Sequence, residues 1–173
     1  LVHIFPGWHD VASLHRLAGA LGSDVPFFLV GGTAHGEERG EVLTPLADLP
    51  PTPVTVVMPA VSLPTPAVFT ALTDDERGPR AGRGAPWWRA QLQAREWPML
   101  MRNRLTAAAT RLCPPVEVVL AALRQSGAPC LMSGSGAACF VLGQAPPLAG
   151  VTAWPTTLVS RADALAPALV EVP

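Results

Sequence analysis

Residues 129–142 pass from an apolar stretch through Ser133-Gly134-Ser135-Gly136 into a second apolar stretch ending at Leu142. Two short apolar runs separated by a Gly/Ser segment predict two strands, 129–132 and 137–142, joined by a tight connection. Glycine supplies the positive-φ conformations such a connection needs. Ahead of this unit, Pro114-Pro115 opens a helix over Val116 to Gln125, with Val119, Leu120 and Leu123 on one face and Gly127 beyond its end. Strand, loop and helix signals therefore mix along one chain, which predicts an α+β fold.

The rest of the chain extends this reading. Val11, Leu14, Leu17, Ala18 and Leu21 recur at helical spacing, with Asp10 placed to cap and Gly22 to stop the helix. Val25 to Val30 reads as a short buried strand entered through Pro26, and Thr33 to Leu43 as a turn or hairpin. Pro50, Pro51 and Pro53 mark a domain boundary. Val54 to Met58 is a β-branched strand. Residues 73–86 read as a mobile loop, 87–112 as a helical pattern interrupted at Pro98, and 145–156 as Pro-rich and poorly helical.

Composition narrows the function classes. The 173 residues are 49% hydrophobic, which suits a packed core rather than a disordered chain. The net charge of −1 gives no basic field for nucleic acid. Arg77, Arg80, Arg83 and Arg89 near Trp87 and Trp88 are offset by acids at 74–76, so this cluster reads as a solvated loop with a Trp-anchored helix. Prolines 59, 64 and 66 cut the most apolar stretch, 54–72, so no uninterrupted run spans a bilayer. Cys113, Cys130 and Cys139 lack metal-type spacing and read as reduced thiols of a cytoplasmic protein. All 12 basic residues counted as Lys or Arg are Arg, so any lysine the chemistry needs lies outside this chain.

Two segments carry chemistry. Leu21-Gly-Ser-Asp-Val-Pro-Phe-Phe28 isolates one carboxylate, Asp24, between a small-residue turn and an apolar run. The Ser133–Gly136 loop offers backbone N–H groups and hydroxyls. A positioned acid and a Gly-rich loop that lets backbone approach phosphates suit phosphoryl transfer. A turn-capping Asp24 and a purely conformational role for the glycines fit the same residues.

These segments, with Gly31-Gly32-Thr33-Ala34, Arg39-Gly40-Glu41 and Ser62-Leu63-Pro64-Thr65-Pro66, occur in an order that resembles the later part of the 4-diphosphocytidyl-2-C-methyl-D-erythritol kinases, in the GHMP kinase superfamily. The resemblance implies the end of a ribosomal-protein-S5-like domain over 1–50 and a ferredoxin-like C-terminal domain over 51–173; the helix that the family usually has after the strand at 137–142 is short or missing here, because of Pro146, Pro147 and Gly150. It places Asp24 on the catalytic aspartate, Ser133, Gly134, Ser135 and Gly136 beside the nucleotide phosphates, and Thr65, Pro66 and Phe69 in the cytidine pocket, Phe69 stacking on the base.

It also implies ATP as phosphoryl donor, accompanied by Mg²⁺, and a small-molecule cytidyl substrate phosphorylated on its 2-hydroxyl, with no nucleic-acid or membrane partner. The catalytic lysine and main phosphate loop of that family precede the matching region, so the chain reads as a fragment that is inactive alone. Another GHMP kinase, acting on homoserine or mevalonate, and a non-catalytic remnant of the fold are the alternatives. The Ser62–Phe69 segment argues against the former.

Overall fold

The computed structural model describes residues 10–78, 82–96 and 100–166. The chain divides into two compact units: Pro51–Leu158, and the described residues up to Pro50 together with those from Val159 onward. The boundary at the Pro50-Pro51 pair is where the proline cluster falls, and the described residues from Val159 onward group with the first unit.

The larger unit is built on a four-stranded antiparallel sheet. Its strands are β3 (Thr52–Pro59), β4 (Cys130–Met132), β5 (Cys139–Leu142) and β6 (Val151–Leu158), in the spatial order β4-β5-β3-β6. That order, with a helical crossover from β3 to β4 and a tight β4–β5 hairpin, is the ferredoxin-like arrangement. One part is missing: residues 143–150 connect β5 to β6 without a helix. The sequence anticipates that loss but not β6, because Pro155 and the surrounding threonines break the strand pattern. Pro155 is tolerated because β6 lies at the sheet edge.

The crossover contains helices α3 (Thr65–Thr70), α4 (Asp74–Arg77), α5 (Ala85–Ala94), α6 (Thr106–Leu112) and α7 (Pro114–Gln125). Pro114 and Pro115 occupy the first turn of α7, where their missing N–H groups cost nothing. Its Val116, Val119, Leu120 and Leu123 are buried and pack with Ala108 and Ala109 of α6 and Val68 of α3. On the sheet, Val57 faces Cys139 across one ladder and Met132 faces Cys139 across the next. All three are buried, so a single cross-strand row joins three strands to the helical layer. Thr55, a buried polar residue, donates its hydroxyl to the Gly143 carbonyl at 2.7 Å.

Within the loop expected over 73–86, residues 74–77 and 85–86 are helical, and 79–81 lie outside the described residues. Thr73 and Glu76 form a reciprocal capping box that starts α4, with Glu76 N–H on Thr73 Oγ1 at 3.3 Å and Thr73 N–H on Glu76 Oε2 at 3.0 Å. Helix α5 then begins at Ala85 with Pro86 in its first turn. Pro98 lies outside the described residues.

The smaller unit contains α1 (Val11–Leu21), α2 (Phe27–Val30), the hairpin β1 (Ala34–Glu37) with β2 (Val42–Pro45), and α8 (Arg161–Leu165). Helix α1 starts as its pattern predicts: the Asp10 carboxylate accepts from Ala12 N–H at 3.0 Å, while Leu14 and Ala18 turn inward. Residues 25–30 correct the expected strand. Pro26 is already helical at φ −56° and ψ −29°, and the turn continues into α2, which Gly31 closes at φ +63°. A short apolar run has no periodicity to separate strand from helix. Phe28 is 74% exposed, which a buried strand would not allow.

A polar knot ties this unit together. The Asp48 carboxylate accepts from Thr33 N–H at 2.8 Å and from Arg161 N–H at 2.7 Å. The Arg161 guanidinium donates to the carbonyls of Val30 at 3.0 Å and Thr33 at 2.9 Å. These N–H donors, first Arg161 and then Thr33, hold the Asp48 carboxyl below the usual carboxylate range. Gly32, at φ +58°, sits against this knot, and a Cβ there would collide with Asp48 and Arg161.

Candidate active site

Asp24 is exposed in the turn between α1 and α2. Its backbone carbonyl accepts from Phe27 N–H at 3.2 Å, so the residue anchors the turn through its main chain. Among the described residues the side chain keeps only a long contact with Ser23 Oγ, 3.5 Å away. Gly40, in the β1–β2 turn, comes close enough that a Cβ there would lie 3.7 Å from Asp24 Oδ1. The carboxylate is thus fixed at its base and open at its tip. His35 lies in β1, opposite Thr44.

The glycine loop lies in the larger unit, at the β4–β5 turn. Gly134 and Gly136 take φ +53° and φ +91°, conformations that L side chains rarely adopt. At Gly136 there is also no room: a Cβ would approach Met132 Sδ to 3.0 Å and Leu63 Cδ2 to 3.1 Å. The loop braces itself, Ser133 N–H donating to Ala138 O at 2.8 Å and Gly136 N–H to Ser133 O at 2.9 Å. These two N–H groups are therefore committed. Those of Gly134 and Ser135 have no partner among the described residues.

Helix α3 meets the loop. Thr65, its first residue, shares a hydrogen bond between its Oγ1 and Ser135 Oγ at 2.7 Å. Pro66 follows in the first turn, preset for a helical start. Phe69 is four residues beyond Thr65 and so on the same helix face, and it is 50% exposed. Val68 beside it carries the packing and is fully buried. Phe69 is therefore a displayed ring rather than a core ring. Within this unit the structure brings Thr65 and Ser135 together; Asp24 belongs to the other unit.

Sequence reasoning missed Asn103. Its Nδ2 donates to the carbonyls of Met132 at 2.9 Å and Gly134 at 2.7 Å, and its Oδ1 accepts from Leu105 N–H at 2.9 Å. One carboxamide thereby clamps the glycine loop to the start of α6. No local pattern marks it, because its partners lie 29 and 31 residues away.

The other chemistry-bearing groups are structural. Cys139 is buried, and burial pushes its thiol up to about 11, unsuited to a nucleophile. All three cysteines are free. The Arg83 guanidinium stacks over the Trp87 ring at 4.6 Å, and Trp88 Nε1 donates to Arg83 O at 2.8 Å, so this cluster closes on itself. Arg80 lies outside the described residues. Among the described residues no three His, Cys, Asp or Glu side chains are grouped to hold a metal ion. None of the described helices is long and apolar enough to cross a membrane.

Comparison with known proteins defines the class. Residues 89–156 match the family described as GHMP kinases C terminal, and they fall wholly within the sheet unit. The match sets this part of the chain beside the C-terminal domains of GHMP kinases. At the level of individual proteins, the chain is 41% identical over 131 residues to the 4-diphosphocytidyl-2-C-methyl-D-erythritol kinase of Dinoroseobacter shibae, covering 73% of this chain and 45% of that protein. It is 37% identical over 145 residues to the enzyme of the same name from Thermus thermophilus, covering 77% and 47%. A crystal structure of 4-(cytidine 5'-diphospho)-2C-methyl-D-erythritol kinase superposes with a TM-score of 0.69 at 35% identity, over 91% of this chain and 60% of that one. The chain spans about half the length of the curated relatives it matches.

Proposed function

We propose that this chain supplies the acceptor-side acid, the base-binding segment and a phosphate-facing loop of an ATP-dependent kinase acting on the 2-hydroxyl of 4-diphosphocytidyl-2-C-methyl-D-erythritol. The observation that carries the proposal is the joining of the glycine loop to Thr65 of α3, through Ser135, in a chain 41% identical to an enzyme of that name. The residues before Pro50 are proposed to be the end of an S5-like domain.

Phosphoryl transfer asks the protein for positioning and charge stabilisation more than for covalent chemistry. Asp24, held by its turn and open at its carboxylate, accepts the proton of the attacking hydroxyl or orients it. The Ser133–Gly136 loop faces the nucleotide phosphates with its uncommitted N–H groups. Phe69 offers a ring face to the cytosine, and Thr65 and Pro66 shape the pocket beside it. Mg²⁺, expected to accompany ATP, would supply neutralisation of the phosphate charge. The reaction is placed in the cytoplasm, with no nucleic-acid or membrane partner, and it requires residues that the relatives carry outside the matched half.

The test is a chimaera in which this chain is joined to the N-terminal portion of the Dinoroseobacter shibae relative. Supplied with ATP and Mg²⁺, it is expected to phosphorylate the cytidyl substrate on its 2-hydroxyl, read by NMR of the product. It is expected to leave homoserine and mevalonate unmodified, and the 173-residue chain alone is expected to show no turnover. Preference for homoserine or mevalonate contradicts the substrate assignment, and robust turnover by the chain alone contradicts the division of labour.

A further inference from the structure

We infer that Asn103 is a positioning residue that turns the Ser135 N–H outward from the glycine loop, where it can donate to a phosphate oxygen of the nucleotide. The inference deepens the kinase reading above and rests on it.

In a planar trans peptide the carbonyl of one residue and the N–H of the next point in opposite directions. Asn103 Nδ2 draws the Gly134 carbonyl toward itself at 2.7 Å. The N–H of the same peptide unit, that of Ser135, must then point away from Asn103. The neighbouring Met132 carbonyl is drawn the same way at 2.9 Å, but the N–H opposite it, that of Ser133, already donates to Ala138 O. The clamp therefore exposes one new donor, and this N–H has no partner among the described residues.

Two features keep that orientation. The Asn103 Oδ1 accepts from Leu105 N–H at 2.9 Å, so the carboxamide cannot flip without placing its Nδ2 donor against that N–H. On the other side of the peptide, Ser135 Oγ is shared with Thr65 Oγ1, so the side chain is tied to α3 while the N–H stays uncommitted. Gly134, at φ +53°, supplies the backbone conformation between the two tethers, and a Cβ there would meet nothing. Its freedom, rather than crowding, is what the clamp restrains. A residue of this kind acts through the loop and need not touch the nucleotide.

Asn103→Asp isolates the donor. The variant keeps an oxygen for Leu105 N–H but turns a carboxylate toward two carbonyl oxygens. Backbone NMR of the 173-residue chain reads the result in two ways: amide exchange rates, and the shift of each amide on addition of millimolar ATP with Mg²⁺. In the wild-type chain the Ser135 amide is expected to move with ATP, while the Ser133 and Gly136 amides are protected from exchange. In Asn103→Asp, exchange at Ser133 and Gly136 is expected to accelerate about tenfold or more, and the ATP-induced shift at Ser135 to vanish. The amides of Leu142 and Gly143, which donate to Pro129 and Pro53, are expected to keep their wild-type rates. Asn103→Ser, too short to reach both carbonyls and without charge, is expected to behave the same way.

An ATP-induced Ser135 shift that persists in both variants overturns the inference and leaves the kinase reading standing. Loss of protection at Leu142 and Gly143 in both variants shows that Asn103 merely holds the fold, and it also overturns the inference. A wild-type Ser135 amide that ignores ATP overturns the phosphate-facing role of the loop, and the inference with it.

Discussion

The two units of this chain are held together by different physics. Residues 51–158 bury Val57, Val68, Val116, Leu120, Leu123, Met132, Cys139 and Val141 in one contiguous apolar core. The first unit has few such residues: Leu14, Ala18, Pro26 and Leu46 are its buried aliphatic side chains among the described residues. It relies instead on the hydrogen bonds of Asp48 and Arg161 to backbone groups. A core tolerates adjustment, since its attraction is non-directional. A polar knot does not, since each bond has one geometry. The difference matters for chemistry, because the sheet unit displays a loop and a ring on a packed scaffold, while the smaller unit displays one carboxylate on a turn.

The largest expected effect breaks the apolar side of this comparison. Leu123 is fully buried on α7, and Leu123→Ala is expected to destabilise the sheet unit by about 2–5 kcal/mol in a denaturant titration. A smaller loss would mean that the core collapses around the cavity. Phe69 lies in the same unit but is half exposed, so Phe69→Ala is expected to leave thermal unfolding close to wild type. In the chimaera it should raise KM for the cytidyl substrate by the equivalent of roughly 1–3 kcal/mol of lost stacking, with KM for ATP unchanged. Early melting and equal weakening of both ligands would return Phe69 to the core.

The polar side is sharpened by Gly32→Ala. The residue would sit in the left-handed region, a cost of about 1–2 kcal/mol, and would also displace Asp48 and Arg161. Amide exchange at Thr33 and Arg161 is expected to accelerate, with the amides of the sheet unit unaffected. Uniform acceleration across both units would show that they do not unfold separately.

The smallest effect is a pH dependence. The Arg111 guanidinium, followed by the N–H of Thr73, lowers Glu76 from its ordinary 4.5 to about 2. A carboxylate whose folded pKa is depressed contributes stability above its unfolded pKa and loses it as pH falls through the folded value. That contribution should therefore be present above about pH 4.5 and fade between there and about pH 2. Glu76→Gln should flatten this part of the acid titration of the sheet unit. An unchanged titration would show the ion pair to be without weight, as exposed pairs often are.

Legibility followed the same division. Elements that announce themselves by apolar spacing or by local caps were readable: α1 with its Asp10 cap, α7 with its proline start, β3, and the β4–β5 hairpin around its glycines. Residues 25–30 were misread because six apolar residues in a row carry no period. Residues 73–77 were misread because composition outweighed the capping box that Thr73 and Glu76 spell out. Strand β6 was hidden by Pro155, acceptable only at an edge that the sequence does not reveal. The Asp48–Arg161 knot and the Asn103 clamp were invisible in principle, because they join residues 113 and about 30 positions apart. Asp24 and the glycine loop stood out through residue type and order, and the structure adds which of their groups are already committed.

The account turns on Asp24. In the chimaera with the relative's N-terminal portion, steady-state kinetics with ATP and the cytidyl substrate compare the wild-type chain with Asp24→Asn. The substitution keeps the size of the side chain and removes its charge and proton affinity. The account predicts a kcat lower by about 10²–10⁴-fold with both KM values little changed. An Asp24→Asn enzyme with near wild-type turnover would make Asp24 a turn residue and remove the acid from the proposed reaction.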